Sequence, residues 1–444
     1  MTAPAPAPRI TVIGTGYLGA THAICMAVLG YDVLGVDVDP GKIERLTAGE
    51  VPFFEPGLPE LLTKALDSGR LRFTTDPAEA AEFGDVHFIC VGTPQLKGSH
   101  AADLSHVDSS VEALARHLRR PALVVGKSTV PVGTAARLTE LVQRVAPAGK
   151  DVQLAWNPEF LREGYAVEDS LRPDRLVFGV ASEWAEQRLR AAFAPVIEQG
   201  TPVVVTDLPT AELVKVAANS FLATKISYIN AMAEVCEATG ADVTALATAL
   251  GHDDRIGARF LKPGLGFGGG CLPKDIRAFT HRAEELGVGQ AVAFLREVDG
   301  INQRRRARTV DLVRELTGGE LEGVRVTTLG AAFKPNSDDI RDAPALDVAR
   351  TLHRAGARVT VVDPAATENA RRAFPELEYG TDAISAATGA DVVLLLTEWT
   401  QFREIDPHAM GAVVARRRIV DGRHALDPVE WRAAGWEYRA LGRP

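Results

Sequence analysis

The sequence predicts an α/β protein built from two doubly wound sheets that are joined by a long central helix. Two segments, one in each outer third of the chain, repeat the order of apolar strand, glycine turn, helix and a second strand ending in Asp. Between them, Thr210 to Thr239 contains neither Pro nor Gly, so a single helix of about 45 Å fits this stretch. For a chain of 444 residues we expect three domains, at residues 1–200, 201–300 and 301–444.

The first segment has the pattern of a dinucleotide-binding unit. A strand at Ile10 to Ile13 is followed by Gly14-Thr15-Gly16-Tyr17-Leu18-Gly19 and a helical pattern, and the next strand, Val33 to Val36, ends in Asp37. In a Rossmann-like sheet the glycines allow close approach of a pyrophosphate, and the acid binds ribose hydroxyls. Asp37 would repel a 2′-phosphate, which favours NAD over NADP. The competing interpretation is a glycine-rich turn of another α/β unit.

Three further apolar runs end in residues suited to ligand binding. They lie at 86–91, 123–125 and 152–155, and each is followed by Gly or polar residues. The carboxyl ends of parallel strands share one edge of the sheet, where ligands bind. We therefore place Thr93, Thr129 and Glu159 on the functional edge, although for Thr93 taken alone ordinary turn chemistry is the better explanation.

The middle of the chain supplies a candidate nucleophile. Phe260 to Asp275 contains five glycines and one thiol, Cys271. Pro273 favours the first turn of a helix, so Cys271 would lie just before that helix, where the helix dipole favours a thiolate. Upstream, Lys215 and Asn219 are four residues apart and share one face of the long helix. The alternative is a glycine-rich surface loop with an incidental Cys.

The last third repeats the strand, glycine, helix, strand and Asp order without the dinucleotide turn. The loop after its first strand, Val324 to Leu329, is longer and carries Lys334 and Arg341. Two cations at the carboxyl edge suit a ligand rich in negative charge, such as a sugar nucleotide diphosphate. We expect a second Rossmann-like sheet that binds no second dinucleotide.

Composition excludes several other classes of protein. A net charge of −9 argues against nucleic-acid binding, and the basic run Arg304 to Arg308 is expected to be a solvated helix face or a subunit contact rather than a phosphate site. The four cysteines show no C-x-x-C pairing, so neither zinc nor disulfides are expected and a reduced, cytoplasmic protein fits. Residues 2–8 resemble a loose leader rather than a signal peptide, and no apolar run is long enough to span a membrane.

Taken together, these motifs resemble the UDP-glucose/GDP-mannose 6-dehydrogenase family, and most closely its UDP-glucose 6-dehydrogenase branch. The resemblance covers nearly the whole chain in the family's order. Its matching stretches are Gly14 to Gly19, Phe54 to Leu58, Lys127 to Gly133, Asn157 to Gly164, Ala217 to Asn219, Phe260 to Asp275, Phe333 to Asn336 and Asp421 to Arg423.

The resemblance implies oxidation of a sugar C6 alcohol to a carboxylate with two NAD per product. Cys271 would form a thiohemiacetal and then a thioester, Lys215 and Asn219 would stabilise the oxyanion, and Asp275, Glu159 and Thr129 would handle protons and water. For the cofactor it implies Gly14, Gly16, Tyr17, Leu18, Gly19, Asp37, Lys42, Thr93, Thr129, Glu163, Lys274 and Arg341. For the sugar nucleotide it implies Phe160, Leu161, Arg162, Glu163, Lys215, Asn219, Arg255, Phe260, Leu261, Lys262, Pro263, Gly264, Gly268, Lys334 and Arg423.

Several alternatives stay open at this stage. The same chemistry could act on GDP-mannose or a UDP-N-acetylhexosamine, and the sequence also allows a two-electron dehydrogenase or a non-catalytic nucleotide-sugar binding protein. Apolar residues on the long helix, such as Ile226, Tyr228 and Ile229, suggest a homodimer or else burial within one subunit. The chain departs from the family at Gly270, where Ser is usual, at His424, where Asn is common, and in an insertion at Gly98 to Ala102.

Overall fold

The computed structural model describes residues 7–443. The chain divides into two compact units, Met1–Ala218 and Asn219–Pro444. Residues 2–6 of the expected leader lie outside the described residues. Among the described residues, no helix is both long enough and apolar enough to cross a membrane.

Within residues 7–443, fourteen strands build the two sheets. They are β1 (Ile10–Ile13), β2 (Val33–Val36), β3 (Leu71–Thr74), β4 (Val86–Ile89), β5 (Ala122–Gly126), β6 (Val152–Trp156), β7 (Leu176–Gly179), β8 (Val203–Thr206), β9 (Arg325–Leu329), β10 (Arg358–Val362), β11 (Glu378–Tyr379), β12 (Val392–Leu395), β13 (Arg418–Asp421) and β14 (Glu437–Ala440).

Helices connect and cover these strands. They are α1 (Tyr17–Val28), α2 (Pro40–Thr47), α3 (Leu58–Asp67), α4 (Pro77–Phe83), α5 (Ser105–Ala115), α6 (Thr134–Val145), α7 (Ala166–Leu171), α8 (Glu183–Ala192), α9 (Ala194–Glu198), α10 (Leu208–Thr239), α11 (Val243–Gly251), α12 (Leu272–Glu285), α13 (Phe294–Thr317), α14 (Pro344–Arg354), α15 (Thr367–Ala373), α16 (Ala383–Ala386), α17 (Thr400–Arg403), α18 (Pro407–Val413) and α19 (Pro428–Ala433).

The sheet of the first unit is doubly wound around β1. Its order is β3-β2-β1-β4-β5-β6-β7-β8, and β1 to β6 are parallel. β7 pairs antiparallel with β6. The central strands β1, β2, β4 and β5 are buried along their whole length, as expected when helices cover both faces of a parallel sheet. The carboxyl ends of β1, β4, β5 and β6 therefore meet at one edge.

The sheet of the second unit repeats this winding. Its order is β11-β10-β9-β12-β13-β14 and its strand pairs are parallel. Asp363, which follows β10, accepts hydrogen bonds from the amides of Ala331 and Ala332 at 2.8 and 3.0 Å and from the Trp399 indole at 3.1 Å. This carboxylate thus holds the loop after β9, whereas the acid at the same position of the first sheet is expected to bind a ribose.

The predicted central helix is confirmed as α10, which begins at Leu208 and ends at Thr239. The expected exposure of its apolar residues is only partly correct. Tyr228 is exposed, but Ile229 is fully buried and Ile226 packs against a core cluster with Ala223 and Phe267. Cys236 is also buried.

The interpretation of the arginine run as a solvated face is correct for Arg304, whose side chain is half exposed, but it is wrong for Arg305 and Arg306. Arg305 is 1% exposed and its guanidinium pairs with Glu237 at 2.5 Å, while Arg306 is buried and pairs with Asp342 at 2.9 Å. Arg308 also pairs with Glu237, at 2.8 Å. Because α13 presents these side chains inward, carboxylates of the same unit neutralise them.

Candidate active site

The glycine turn after β1 has the shape of a phosphate cradle. Gly14 has a left-handed backbone, with φ of +88°, and a side chain at Gly19 would begin 1.7 Å from the Gly14 carbonyl oxygen. At Gly16, by contrast, an added Cβ would meet nothing within 4 Å. Helix α1 begins at the next residue, Tyr17, so its free amides and positive dipole end lie beside this open space.

Asp37 follows β2 and is tied to the same turn. Its Oδ2 accepts from the Thr15 amide at 2.8 Å and from the Lys42 ammonium at 2.9 Å. Burial alone would raise the pKa of Asp37, but Lys42 and the amides of Asp39 and Thr15 lower it below the usual value. The acid at this edge is therefore ionised at neutral pH.

The ends of β4, β5 and β6 place three more predicted residues on this edge. The Thr93 hydroxyl donates to the Thr129 carbonyl at 2.8 Å. Glu159 lies after β6, and its Oε2 is 2.9 Å from the Nζ of Lys127. Within the first unit, the expectation that Thr93, Thr129 and Glu159 share the carboxyl edge is therefore confirmed.

The loop after Glu159 is anchored by a buried acid that the sequence analysis did not single out. Glu55 accepts from the amides of Gly164 and Ala166, at 2.6 and 2.7 Å, and from the Tyr17 hydroxyl. Tyr17 belongs to the glycine turn, and its hydroxyl oxygen also accepts from Gly164 at 3.0 Å. One carboxylate thus joins the predicted cofactor turn to the predicted substrate loop.

The predicted substrate residues of this loop differ in their surroundings. The Phe160 ring carries Arg175 at 3.9 Å and Lys215 at 5.4 Å from its centroid. Arg162 is exposed and pairs bidentately with Asp169. Leu161 and Glu163 are half-buried. Phe160 therefore gives Lys215, the predicted oxyanion residue of α10, an aromatic contact.

In the second unit, Cys271 is the N-cap residue of α12, as the position of Pro273 predicts. Its side chain is exposed, whereas Cys25, Cys90 and Cys236 are buried. The carbonyl of Cys271 accepts from the Asp275 amide at 2.9 Å. The thiol therefore lies at the positive end of the helix dipole, a setting that favours a thiolate.

The first turn of α12 also carries the predicted carboxylate. Asp275 is almost fully buried, and its Oδ2 accepts from the Asn219 amide nitrogen at 2.6 Å. Its Oδ1 lies 2.8 Å from the Lys274 ammonium. Within the second unit the structure thus brings Asn219, Lys274 and Asp275 together, one helical turn from Cys271.

Side chains from three elements hold the glycine loop that precedes Cys271. The amide group of Asn302 on α13 accepts from the Phe267 N–H at 2.8 Å and donates to the Phe267 carbonyl at 2.9 Å. Asn230 on α10 accepts from the Gly264 amide at 2.9 Å, and Arg423 after β13 donates to the Gly266 carbonyl at 2.9 Å. A loop rich in glycine is thereby fixed from several sides.

The remaining predicted residues of the second unit lie around this loop or on the surface. A Cβ at Gly268 would meet the Asp342 carbonyl at 2.3 Å, and one at Gly270 would meet the Arg341 guanidinium at 2.3 Å. Leu261, Pro263 and Gly264 are buried, while Phe260 and Lys262 are exposed. Lys334 lies 5.3 Å from the centroid of the neighbouring Phe333 ring, and Arg255 is exposed and paired with Asp253.

Two of the departures noted in the sequence have local explanations. His424 has a φ of +51°, a left-handed conformation that His and Asn both adopt more readily than most residues. The insertion at Gly98 to Ala102 forms a small hairpin, in which the Leu96 amide donates to the Ala101 carbonyl at 2.9 Å. Neither departure lies on α12 or in the glycine turn.

Comparison with known proteins identifies the family. The three domains of the UDP-glucose/GDP-mannose dehydrogenase family match in order: the NAD binding domain at residues 8–197, the central domain at 209–304 and the UDP binding domain at 327–428. The UDP-glucose 6-dehydrogenase of Rhizobium meliloti is 41% identical over 438 residues, which cover 98% of this chain and 100% of that protein. The chain belongs to the UDP-glucose/GDP-mannose dehydrogenase family.

Solved structures of this family agree with the fold. A UDP-glucose dehydrogenase from Pyrobaculum islandicum matches with a TM-score of 0.92 and 38% identity, covering 100% of both chains. A UDP-D-ManNAc dehydrogenase from Pyrococcus horikoshii matches with a TM-score of 0.85 and 26% identity, covering 98% of this chain and 99% of the other. As a member of the UDP-glucose/GDP-mannose dehydrogenase family, the chain is an NAD-dependent oxidoreductase.

The sequence analysis assigned no role to several residues that support the site, although some of them lie within the matching motifs. Lys127 and Glu55 belong to the stretches that carry the resemblance to the UDP-glucose/GDP-mannose dehydrogenase family, but each was treated only as part of a motif. Asn302 gave a weaker signal, since it is a polar residue at a core-facing position of α13. A buried polar residue on an apolar helix face needs a partner, and that rule would have selected it.

Proposed function

We propose that this chain oxidises UDP-glucose at C6 to UDP-glucuronate, with two NAD reduced per product. The observation that carries the proposal is the exposed Cys271 at the N-terminus of α12, one turn from the buried Asn219–Asp275 pair. A two-electron alcohol dehydrogenase has no need of this thiol. An oxidation that continues from aldehyde to acid does, because a covalent thioester supplies the second oxidation step.

The first unit provides the surroundings that NAD requires. Gly16 leaves space next to the N-terminus of α1 for a pyrophosphate, and the ionised Asp37 lies at the end of β2 for ribose hydroxyls. When bound, NAD accepts one hydride in each of the two oxidations. The other residues proposed to hold it are Tyr17, Leu18, Lys42, Thr93, Thr129, Glu163, Lys274 and Arg341.

Cys271 performs the covalent step. Loss of a proton and a hydride from the C6 alcohol gives an aldehyde, and the Cys271 thiolate adds to its carbonyl carbon to form a thiohemiacetal. Loss of a second hydride gives a thioester, which water cleaves to the carboxylate and the free thiolate. Lys215 and the Asn219 amide donate to the oxyanion, while Asp275, Glu159 and Thr129 manage the protons and the attacking water.

We assign sugar-nucleotide binding to residues that can contact a diphosphate and a sugar. Lys334 and Arg423 supply positive charge in the second unit, and the loop of Phe260 to Gly268 supplies backbone groups. Phe160 to Glu163 belong to the first unit. In the present contacts Arg423 donates to the carbonyls of Leu396 and Gly266, so its contribution to the substrate stays a prediction, as does that of Arg255.

A homodimer and a cytoplasmic location complete the proposal. Helix α10 exposes Phe221, Tyr228 and Val235, which follow one another at intervals of seven residues and therefore lie on one face. A second copy of the same helix face would cover this stripe. The cysteine pattern, without C-x-x-C pairing, supports the reducing compartment.

Replacing the nucleophile tests the chemistry. Cys271→Ala removes the only group proposed to form the thioester, so UDP-glucuronate formation should fall by about 10³-fold or more. Cys236→Ala is the matched control, because it removes a buried thiol from α10 in the same unit and should leave the rate near that of the parent. Product measured by mass spectrometry and NADH measured by absorbance report both oxidations; sugar acid made by Cys271→Ala at the parent's rate would refute the mechanism.

A panel of nucleotide sugars tests the substrate. UDP-glucose, UDP-N-acetylmannosamine and GDP-mannose are each incubated with the parent enzyme and NAD, and NADH formed per sugar consumed is counted. We expect turnover of UDP-glucose with two NADH per product. Turnover confined to GDP-mannose or to an N-acetylated sugar would overturn the assignment, and a ratio of one would indicate a two-electron dehydrogenase.

A further inference from the structure

Lys127 is a lysine buried beneath the carboxyl edge of the first sheet. Its side chain is 4% exposed, and its Nζ lies 2.9 Å from Glu159 Oε2 and 2.9 Å from Asn157 Oδ1. The rings of Phe88 and Phe193 lie 5.8 and 5.7 Å from the same nitrogen. A buried ammonium is costly unless it is paired, so these contacts form a built site for one charge rather than a chance surface pair.

Glu159 is fixed by this lysine together with its own backbone. Its Oε1 accepts from the amides of Phe160 and Leu161, at 2.7 and 2.9 Å, while Oε2 faces Lys127. The bases of the two side chains are also held, because β5 and β6 pair with Gly126 opposite Trp156. Asn157 in turn donates to the Val177 carbonyl at 3.0 Å. Both carboxylate oxygens thus have defined partners.

We propose that Lys127 is a positioning residue that orients Glu159 and keeps it ionised for its part in catalysis. This inference rests on the proposed function, in which Glu159 handles protons or water. Lys127 itself would touch neither the sugar nor the cofactor, since its ammonium is enclosed by Asn157, Glu159 and two aromatic rings. Its contribution would pass through Glu159, whose side chain is a fifth exposed.

The neighbouring titratable groups leave Lys127 as the cation in contact with Glu159. On α1, burial together with Lys127 lowers the pKa of His22, so its imidazole is neutral. Burial raises the pKa of Cys25 on α1 and of Cys90 after β4 to about 12, so both thiols are neutral. From α10, Lys215 lies over the Phe160 ring rather than against the carboxylate.

The balance of charges gives a pH dependence with a definite sign. Burial would raise the pKa of Glu159, but Lys127 and the two backbone amides lower it below the usual value. Without Lys127 the pKa of Glu159 rises. Activity that needs the ionised carboxylate is then lost at a higher pH when the solution is acidified, so the acid limb of the kcat profile moves up.

A double-mutant cycle tests the proposal. The parent, Lys127→Met, Glu159→Gln and the double variant are compared for kcat, KM and the acid limb of the kcat profile with UDP-glucose and NAD. Misplacement of a catalytic group costs about 10²-fold, so we expect Lys127→Met to lower kcat by about that factor with little change in the KM for NAD. In the Glu159→Gln background, which has no carboxylate to orient, Lys127→Met should have no further effect on kcat.

The outcomes separate positioning from a purely structural role. Lys64→Met, which replaces an exposed lysine of the same unit, is the control and should match the parent. Lys127→Met leaves the Glu159 carboxylate without its ion-pair partner and could fail to fold for that reason. The double variant removes both charges. In that case the kcat of the double variant is compared with that of Glu159→Gln alone, and this comparison tests the positioning role. A double variant with kcat well below Glu159→Gln, or a folded Lys127→Met with the parent's kcat and pH profile, would overturn the proposal. Failure of the parent to oxidise any nucleotide sugar would instead refute the proposed function.

Discussion

Glu55 illustrates how a single buried residue links two segments that the sequence presents as separate motifs. Its carboxylate accepts from the Tyr17 hydroxyl of the glycine turn and from the amides of Gly164 and Ala166 in the loop after Glu159. Burial and the Glu55 carboxylate together raise the pKa of Tyr17 far above its usual value. The phenol is therefore a permanent donor, and the contact is retained at all physiological pH values.

Replacing Glu55 should destabilise the first unit and weaken NAD binding. Glu55→Ala removes the acceptor of the buried Ala166 amide and of the Tyr17 hydroxyl, and it leaves the Gly164 amide with the Tyr17 oxygen alone. Each group that loses its acceptor costs about 1–3 kcal/mol. We expect a lower midpoint of thermal unfolding and a raised KM for NAD, because Tyr17 opens the cofactor helix. Glu60→Ala, an exposed acid on α3, is the control. Unchanged stability and KM in Glu55→Ala would contradict the linking role.

At the scale of single elements, the glycine loop before α12 shows that its glycines are required by the protein itself. Gly266 has a φ of +98°, and an added Cβ would lie 2.2 Å from the Asn302 Oδ1 that holds Phe267. Glycines also allow a backbone to approach a ligand closely. The contacts add a second reason, since side chains of α13 occupy the space where a Cβ would be.

Two glycines of the second unit allow a matched test of that explanation. Gly266→Ala should cost about 1–2 kcal/mol for the left-handed backbone and a further ~1–3 kcal/mol for crowding against Asn302. Gly257→Ala, at φ of +69° with nothing within 4 Å of its Cβ, should incur the backbone cost alone. Thermal unfolding and kcat are measured for both. Equal losses of stability would show that Asn302 moves aside and does not fix the loop.

Most of the fully buried strands were predicted, whereas the fully buried β7 and the strands at the sheet margins were not. Ile10 to Ile13 and Val33 to Val36 were placed at their observed bounds, because a parallel strand covered on both faces is a short apolar run. β3 and β14 are only partly buried and include Arg or Glu, so they have no such run.

The burial of Arg305 was also missed, since a sequence does not reveal which face of a long helix meets carboxylates.

The sequence also predicted only part of the candidate site. Asp37 and Glu159 could be found because each follows the end of a strand, and Cys271 because it precedes the Pro of a helix start. The partners of these residues are distant in sequence and become visible only after folding. Lys127 meets Glu159 across two paired strands, and Asn219 on α10 meets Asp275 on α12.

At the scale of the whole molecule, the chain contains the same sheet topology twice with different chemistry at the carboxyl edge. Asp37 and Asp363 occupy equivalent positions after the second strand of each sheet. The Asp37 carboxylate accepts hydrogen bonds from Thr15 and Lys42 next to an open glycine turn. The Asp363 carboxylate accepts five hydrogen bonds, from four backbone amides and one indole of its own unit. The repeated topology thus places an Asp at the same position twice, and in the second sheet that Asp holds its own unit together.

An exposed apolar face of α10 predicts how two copies of the chain assemble. Phe221, Tyr228 and Val235 are 67%, 51% and 52% exposed and form a stripe along α10. Large apolar side chains exposed in a row are expected to be covered by a partner, and a two-fold dimer would pack this stripe against its own copy. A charge placed in the stripe would have to be buried without a partner, so Tyr228→Glu should convert the dimer to a monomer in light scattering.

A control off the stripe separates assembly from general solubility. Leu286 is similarly exposed, at 53%, but follows α12 rather than lying on α10. Leu286→Glu adds the same charge and should leave a dimer. If both variants and the parent have the mass of a dimer, the interface lies elsewhere on the chain; if the parent is already a monomer, the stripe is not a dimer contact. A second substitution, Phe221→Glu, distinguishes an interface centred on the first half of the stripe from one centred on Tyr228.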